Sequence, residues 1–321
     1  MRSHPPTADR KKPKAKKILI IVAIVLVVLF IGTLVTVPFV VMPAFLGQRF
    51  EQRQYISTDY GIDSERITLK TDDSLSIAAW RTRADSPRGT VILLSGIENP
   101  SVTAFFGYAN MLADEGWDSL LIEMRARSES EGDEIGLGMT EWLDVKAGVD
   151  YLAGDDESKD LPIVAMGTSM GGGTVIIAAG EIPEIDAVIS ISAFSSWSNL
   201  FAEYMAVAGI PKAMGVLEKP FVNMYLGFHF GFDALKYSPL NGISKLGARP
   251  ILMMHSTQDS QISYSEFERL HDEANRHQID VTTFIREGDE HFVCYDEYFD
   301  TPAQDQAFSQ AVLSFLDTYF P

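Results

Sequence analysis

Apolar positions follow two regimes along this chain. From residue 18 to residue 46 there is no charged side chain, and over 18–37 only Gly32, Thr33 and Thr36 interrupt the aliphatic residues. Twenty helical residues rise ~30 Å, about one hydrocarbon core, so this run predicts a single membrane-spanning helix. Pro38 and Pro43 are expected where that helix meets the far interface. A cleavable signal peptide would have a shorter apolar region, of about 7–15 residues, followed by a small-x-small site. This run is longer, and no convincing site follows it.

After residue 65 the pattern changes to short β-rich runs separated by helical periodicity. Residues 67–69 and 75–80 read as a hairpin turning at Thr71-Asp72-Asp73. Further strands are expected at 90–94, 119–123, 161–166, 187–191, 251–255 and 281–285, and helices at 102–114, 139–152, 169–180, 263–276 and 302–319. Strands alternating with helices predict an α/β fold, a mostly parallel sheet covered on both faces, with the hairpin as an antiparallel edge. One segment breaks the alternation. Residues 195–246 are rich in Phe, Tyr, Met and Leu, including Phe201, Tyr204, Met214, Phe221 and Phe228. Extra core helices would explain most of these side chains. A helical cap over the carboxyl edge of the sheet, where open α/β sheets bind ligands, explains their position as well. The expected organisation is a basic cytoplasmic tail at 1–17, an anchor at 18–46, a linker at 47–64 and a catalytic domain at 65–321 carrying the cap.

Charge sets the orientation and excludes one class of partner. Seven Lys and Arg residues and one Asp precede residue 18, which leaves 19 basic against 43 acidic residues in the remainder. The positive cluster at 10–17 predicts an N-terminus inside and a body outside the cell membrane. A body this acidic repels phosphate backbones, so no nucleic-acid partner is expected. Cys294 is the only cysteine, which excludes an intrachain disulfide and a cysteine-based metal cluster.

The chemistry concentrates at three places. A predicted strand runs into Gly167-Thr168-Ser169-Met170-Gly171 and then a helix. This is G-x-S-x-G in the strand–turn–helix setting that presents a serine hydroxyl at the top of a sheet. A serine needs a base, and the base an orienting acid. Asp259 is the first carboxylate after the strand at 251–255, and His291 follows the strand at 281–285. Of the other histidines, His271 and His277 fall on a charged helical face, His255 ends a strand as a packed residue, His229 lies in the cap, and His4 precedes the anchor.

With these positions in order, the chain resembles an α/β-hydrolase from about residue 65 to its C-terminus. Glu123-Met124-Arg125-Ala126-Arg127-Ser128-Glu129-Ser130 is similar to the family's D-x-R-G-H-G-x-S segment. Residues 250–259, ending in Ser256-Thr257-Gln258-Asp259, are similar to its P-h-L-h-h-H-G-T-x-D segment, where h is apolar. The resemblance is to bacterial acyl esterases, serine aminopeptidase-like hydrolases and their membrane-anchored relatives. It implies hydrolysis of esters, thioesters or amides without metal or organic cofactor, and an oxyanion hole made by the backbone N–H groups of Ile97 and Met170. Three departures stand out: Ser95 replaces a histidine, Ala126-Arg127-Ser128 replaces Gly-His-Gly, and Ser256 replaces a glycine. Salt bridges to nearby carboxylates are the expected role of Arg125 and Arg127. The favoured function is a membrane-anchored serine hydrolase acting on a small acyl ester or lipid-like substrate. Aminopeptidase-like and acyltransferase activities on the same triad are alternatives, as is a non-catalytic binding module on this fold.

Overall fold

In the computed structural model, residues 12–46, 49, 51–97 and 100–321 are described. The basic tail predicted over 1–17 falls mostly outside them. The chain begins with α1 (Lys12–Val41) and the short α2 (Pro43–Leu46). Pro38 lies inside α1 rather than at its end, on a stretch of helix that already touches the body. Thr33 and Thr36 donate to the carbonyls of Leu29 at 3.0 Å and Gly32 at 2.6 Å, so neither hydroxyl interrupts the apolar surface.

The body contains β1 (Glu65–Lys70), β2 (Ser76–Thr82), β3 (Gly89–Leu94), α3 (Phe106–Asp114), β4 (Trp117–Ile122), α4 (Trp142–Ala153), β5 (Ile163–Thr168), α5 (Met170–Glu181) and β6 (Ala187–Ile191). It continues through α6 (Trp197–Val207), α7 (Lys212–Phe230), α8 (Pro239–Ile243), β7 (Ile251–Ser256), α9 (Tyr264–Arg276), β8 (Val281–Arg286) and α10 (Gln306–Tyr319). The eight strands form one sheet in the order β1-β2-β4-β3-β5-β6-β7-β8. The β1–β2 and β2–β4 pairs are antiparallel and all others parallel. Strands β3 to β7 are buried along their whole length, as expected where helices cover both faces.

Two apolar clusters lie on the two faces. One joins Ile92, Leu120, Ala165 and Met253 to α4, α5 and the cap. The other joins Val91, Leu93, Met166 and Met254 to α3 and α10. The first also takes in Met42 and Leu46, each 1% exposed, so the end of the apolar N-terminal run is part of the body's core. The segment expected to be a linker is tied down too. Arg49 donates to the carbonyls of Ser128 at 2.6 Å and Ser130 at 3.0 Å, and Ile135 N–H donates to the Leu46 carbonyl at 3.0 Å. The backbone N–H groups of Gln52 and Tyr55 donate to Ser128 and Thr103 hydroxyls, each at 3.0 Å. Polar composition suggested a tether, but these hydrogen bonds to the body hold the segment as a fixed strap.

The strand order reverses at β3. From there the chain moves one way to β4 and the other way to β5, leaving a crevice at the carboxyl ends of β3 and β5. The helices α6, α7 and α8 overhang that edge as the inserted cap.

Candidate active site

β5 ends in the sharp turn before α5. Ser169 sits there at φ 57° and ψ −118°, a region that non-glycine residues occupy at a cost. Its N–H donates to the Ile191 carbonyl at 2.8 Å, which fixes the turn against β6. The side chain does not cap α5. The flanking glycines permit this geometry by close approach. A Cβ on Gly167 would strike the Gly171 backbone, and one on Gly171 would strike the carbonyls of Ser95 and Leu94. The turn is therefore wedged against the loop that leaves β3. Met170 is the first residue of α5, so its N–H is one of the helix's orphan donors. Ile97 lies across from it in the β3 loop, and both line the cavity that contains Ser169.

The other two chemical positions meet on loops that follow neighbouring strands. His291 Nδ1 lies 2.8 Å from Asp259 Oδ2 and 3.1 Å from Oδ1. A carboxylate only accepts, so Nδ1 carries the proton and Nε2 is left as the basic nitrogen. Asp259 Oδ1 also accepts from the N–H groups of Gln261 and Ile262, each at 2.9 Å. Burial alone would raise the Asp259 pKa. The hydrogen bond and charge of His291, with these two amides, outweigh it and hold the carboxyl below its ordinary value. The two loops are stitched together. Ser256 Oγ donates to the Glu290 carbonyl at 2.6 Å, and Gln258 N–H to the Gly288 carbonyl at 2.9 Å. The serine that replaces the family's glycine thus braces the histidine loop. Asp289, which could have competed for His291, accepts instead from Ser260 N–H at 2.7 Å.

Ser169 and His291 line one cavity of about 410 Å³. Its wall is mainly apolar, supplied by Phe194, Trp197, Leu200, Ile262 and Phe292, with the Tyr204 ring beside them. One wall residue was not foreseen. Phe45, on α2, stacks on Tyr204 of α6 with ring centroids 6.2 Å apart and planes 10° apart. The only sequence signal was an aromatic residue following Pro43 at the end of the apolar run.

The arginines divide. Arg125 behaves as expected, donating to Asp144 at 2.7 Å and to Asp73 at 2.6 Å. Arg127 does not form the expected salt bridge among the described residues. It is fully buried and donates to the Gly96 carbonyl, with Ser95 Oγ at 3.4 Å. Burial lowers its pKa, opposed by the charges of Glu123, Glu141 and Asp144. Ala126 and Ser128 flank it at φ 59° and 38°, left-handed conformations that the family's glycines adopt without strain. This strained turn aims Arg127 beneath the loop where the family carries a histidine at the position of Ser95. His255 is buried, contacts the Ile262 carbonyl through Nε2 at 2.9 Å, and lies with Nε2 3.8 Å from Asp259 Oδ2. Burial lowers its pKa and favours the neutral ring.

Comparison with known proteins agrees with this fold. The prolyl oligopeptidase family model matches residues 136–321, and the model of X-Pro dipeptidyl-peptidase (S15 family) matches residues 37–217. Each covers more than half of the chain. The chain belongs to this serine-hydrolase group, within the α/β-hydrolase superfamily. The uncharacterized protein YqkD of Bacillus subtilis is 26% identical over 235 residues, covering 73% of this chain and 72% of that protein. The uncharacterized protein YfhR of Salmonella typhi is 24% identical over 243 residues, covering 71% and 74%. Among solved structures, the Pyrococcus furiosus esterase Pf2001 superposes with a TM-score of 0.66 at 21% identity, covering 85% of this chain and 99% of that one. The Pyrococcus horikoshii acylaminoacyl peptidase gives 0.59 at 14% identity, covering 80% and 41%.

Proposed function

We propose that the protein is a membrane-anchored serine hydrolase that cleaves a carboxylic ester, with Ser169, His291 and Asp259 as its triad. One observation carries this reading. A serine on a strained turn shares an apolar cavity with a histidine whose other nitrogen is held by a carboxylate. Ser169 Oγ attacks the acyl carbon while His291 Nε2 takes its proton. The carbonyl oxygen, now negative, is held by the N–H groups of Ile97 and Met170. The C–O bond to the leaving alcohol breaks and His291 returns the proton to it. Water, deprotonated by the same nitrogen, then releases the acid and restores Ser169. Asp259 keeps the imidazole in one tautomer and offsets its charge while the proton is held.

The anchor reading rests on α1. Its residues from Ile18 to Ile31 are exposed and apolar on every side, a surface that water does not tolerate but lipid does. The burial of Met42 and Leu46 favours retention over cleavage, since removal would open the core. The tail's positive charge favours a cytoplasmic N-terminus and an extracytoplasmic body.

A fluorophosphonate should label Ser169 in the full chain, and an ester series of rising acyl length should show an optimum. Protease added to intact cells should cut the body and spare the tail. Peptide cleavage is the second reading, favoured by the peptidase families matched. Against it, the described cavity lining offers no carboxylate to hold a free α-amine. Turnover of aminoacyl amides with none on any ester would decide for the second reading.

A further inference from the structure

The cap carries an apolar face that nothing in the body covers. Along α7, Ala213, Val216, Leu217, Pro220, Met224 and Phe228 recur at helical spacing on the side away from the core. Val216 is 60% exposed, Leu217 47% and Phe228 67%. The opposite side of the same helix is the one packed inward, through Val222, Tyr225 and Leu226. A soluble surface helix is polar on its outer side, so this one is apolar where it should meet water.

The position of α7 indicates what covers it. α1 packs against α7, with Phe39 edge-on to Tyr225 at 5.1 Å and 6.5 Å from Phe228. Along that stretch Leu34 and Pro38 are buried and Val37 is half-buried. Only the helix before Leu34 is therefore free of the body. From Ile18 to Thr33 it rises ~24 Å, short of the ~30 Å that a hydrocarbon core requires. The missing ~6 Å must come from the part of α1 already packed on the cap. That places the end of α7 that carries Tyr225 and Phe228 near the depth where interfacial helices bury their apolar sides, about 5–10 Å into the headgroup boundary. The strong negative charge of the body offers no electrostatic attraction to anionic lipid, so apolar contact is the means left.

We infer that the apolar face of α7 is seated in the outer leaflet of the bilayer that holds α1, and that the cavity beneath the cap draws its acyl substrate from that leaflet. The inference rests on the anchor reading above and deepens its substrate class to a membrane-resident acyl lipid. The cap helix that walls the cavity is the immediate neighbour of the one proposed to meet the membrane. Tyr204 and Leu200 are on α6, which packs along α7, and Phe45 follows directly on α1.

The test uses the full chain in phosphatidylcholine vesicles. Single cysteines replace Leu217, Phe228, Val28 and Asp156 in turn, and each carries a nitroxide label. Cys294 does not compete, because burial pushes its thiol up to about 12. Collision of the label with oxygen, which prefers lipid, is compared with collision with a water-soluble nickel complex. Leu217→Cys and Phe228→Cys should show several-fold higher oxygen-to-nickel ratios than Asp156→Cys, approaching Val28→Cys. If Val28→Cys reads as lipid while Leu217→Cys and Phe228→Cys match Asp156→Cys, the inference fails and the anchor stands. An aqueous Val28→Cys sinks both. Spin–spin broadening at Leu217→Cys that marks a second copy on the face also overturns it.

Discussion

The ring of Phe45 lies parallel to that of Tyr204, and the pair closes one side of the cavity that holds Ser169. A residue at the end of the apolar N-terminal run therefore forms part of the cavity wall. The apolar N-terminal segment and the cavity are continuous, and this has consequences for both specificity and stability.

Phe45→Ala in the full chain should weaken selection for acyl length. An aromatic pair contributes about 0.5–1.5 kcal/mol beyond its area, so kcat/KM on the best ester should fall about 2- to 12-fold. Longer or branched acyl groups should lose less or gain. Specificity constants across an ester series read this directly. An unchanged profile would show that Phe45 does not touch substrate.

A fragment that starts at residue 48 should be less stable than one that starts at residue 34. The shorter fragment loses Met42 and Leu46, which are buried in the main core, and burying each is worth about 1.5–3 kcal/mol. Thermal unfolding of the two fragments in mild detergent measures the difference. Equal midpoints would mean that the end of α1 and α2 add nothing to the fold.

Periodicity and order carried much of this architecture, because a parallel sheet imposes continuous apolar strands and a fixed succession of loops. Ser169, Asp259 and His291 were legible because each follows a strand whose pattern is unambiguous. What composition could not show was long-range packing. Nothing in a run of Val, Leu and Phe distinguishes the exposed side chains of α1 from Met42 and Leu46, which enter the core. The polar strap after α2 read as a tether because its attachments, from the Arg49 side chain and the backbone N–H groups of Gln52 and Tyr55, reach partners far along the chain that local pattern does not show. Arg127 was read as a salt bridge because carboxylates abound nearby in sequence, whereas the strained turn through Ala126 and Ser128 directs it to a carbonyl.

The histidines separate by substitution. His291→Ala and Ser169→Ala should each reduce turnover by several orders of magnitude with the fold intact by circular dichroism. Asp259→Asn should cost about 10⁴-fold, the loss seen when another triad's carboxylate is made an amide. His255→Ala should instead lower the melting temperature while keeping kcat within about 10-fold, since its loss leaves the buried Ile262 carbonyl unpaired at about 1–3 kcal/mol. Near-parental turnover in His291→Ala would remove that residue as the base.

The depressed Asp259 carboxyl links stability to pH. Its folded pKa lies below its unfolded value near 3.9, so its contribution is fully present above about that pH. The contribution is lost as pH falls through the lower, folded value. Melting temperatures of the parent and Asp259→Asn should therefore converge on acidification below about pH 4 and stay separated at neutral pH. A gap that is independent of pH would show that the carboxyl is not held ionised by His291 and the two amides.

In the proposed oxyanion hole, Arg127 should act on the Ile97 donor through one peptide group. The Gly96 carbonyl and the Ile97 N–H belong to the same planar trans unit and point in opposite directions, so the donor that holds the carbonyl also sets the direction of the N–H. Arg127 is that donor, and the same nitrogen lies 3.4 Å from Ser95 Oγ. Removing an oxyanion donor outright costs about 10²–10³ in kcat, and misdirecting one should cost less, about 10- to 100-fold. Arg127→Leu should show this loss in kcat with KM nearly unchanged, because the acyl wall is untouched. Fluorophosphonate labelling of Ser169 should slow in parallel, since that reaction also builds negative charge on an oxygen. Arg127→Lys keeps a buried donor within reach of the Gly96 carbonyl and should recover part of kcat. A merely structural arginine predicts something different: lower melting temperature in both variants, with kcat per folded molecule unaltered.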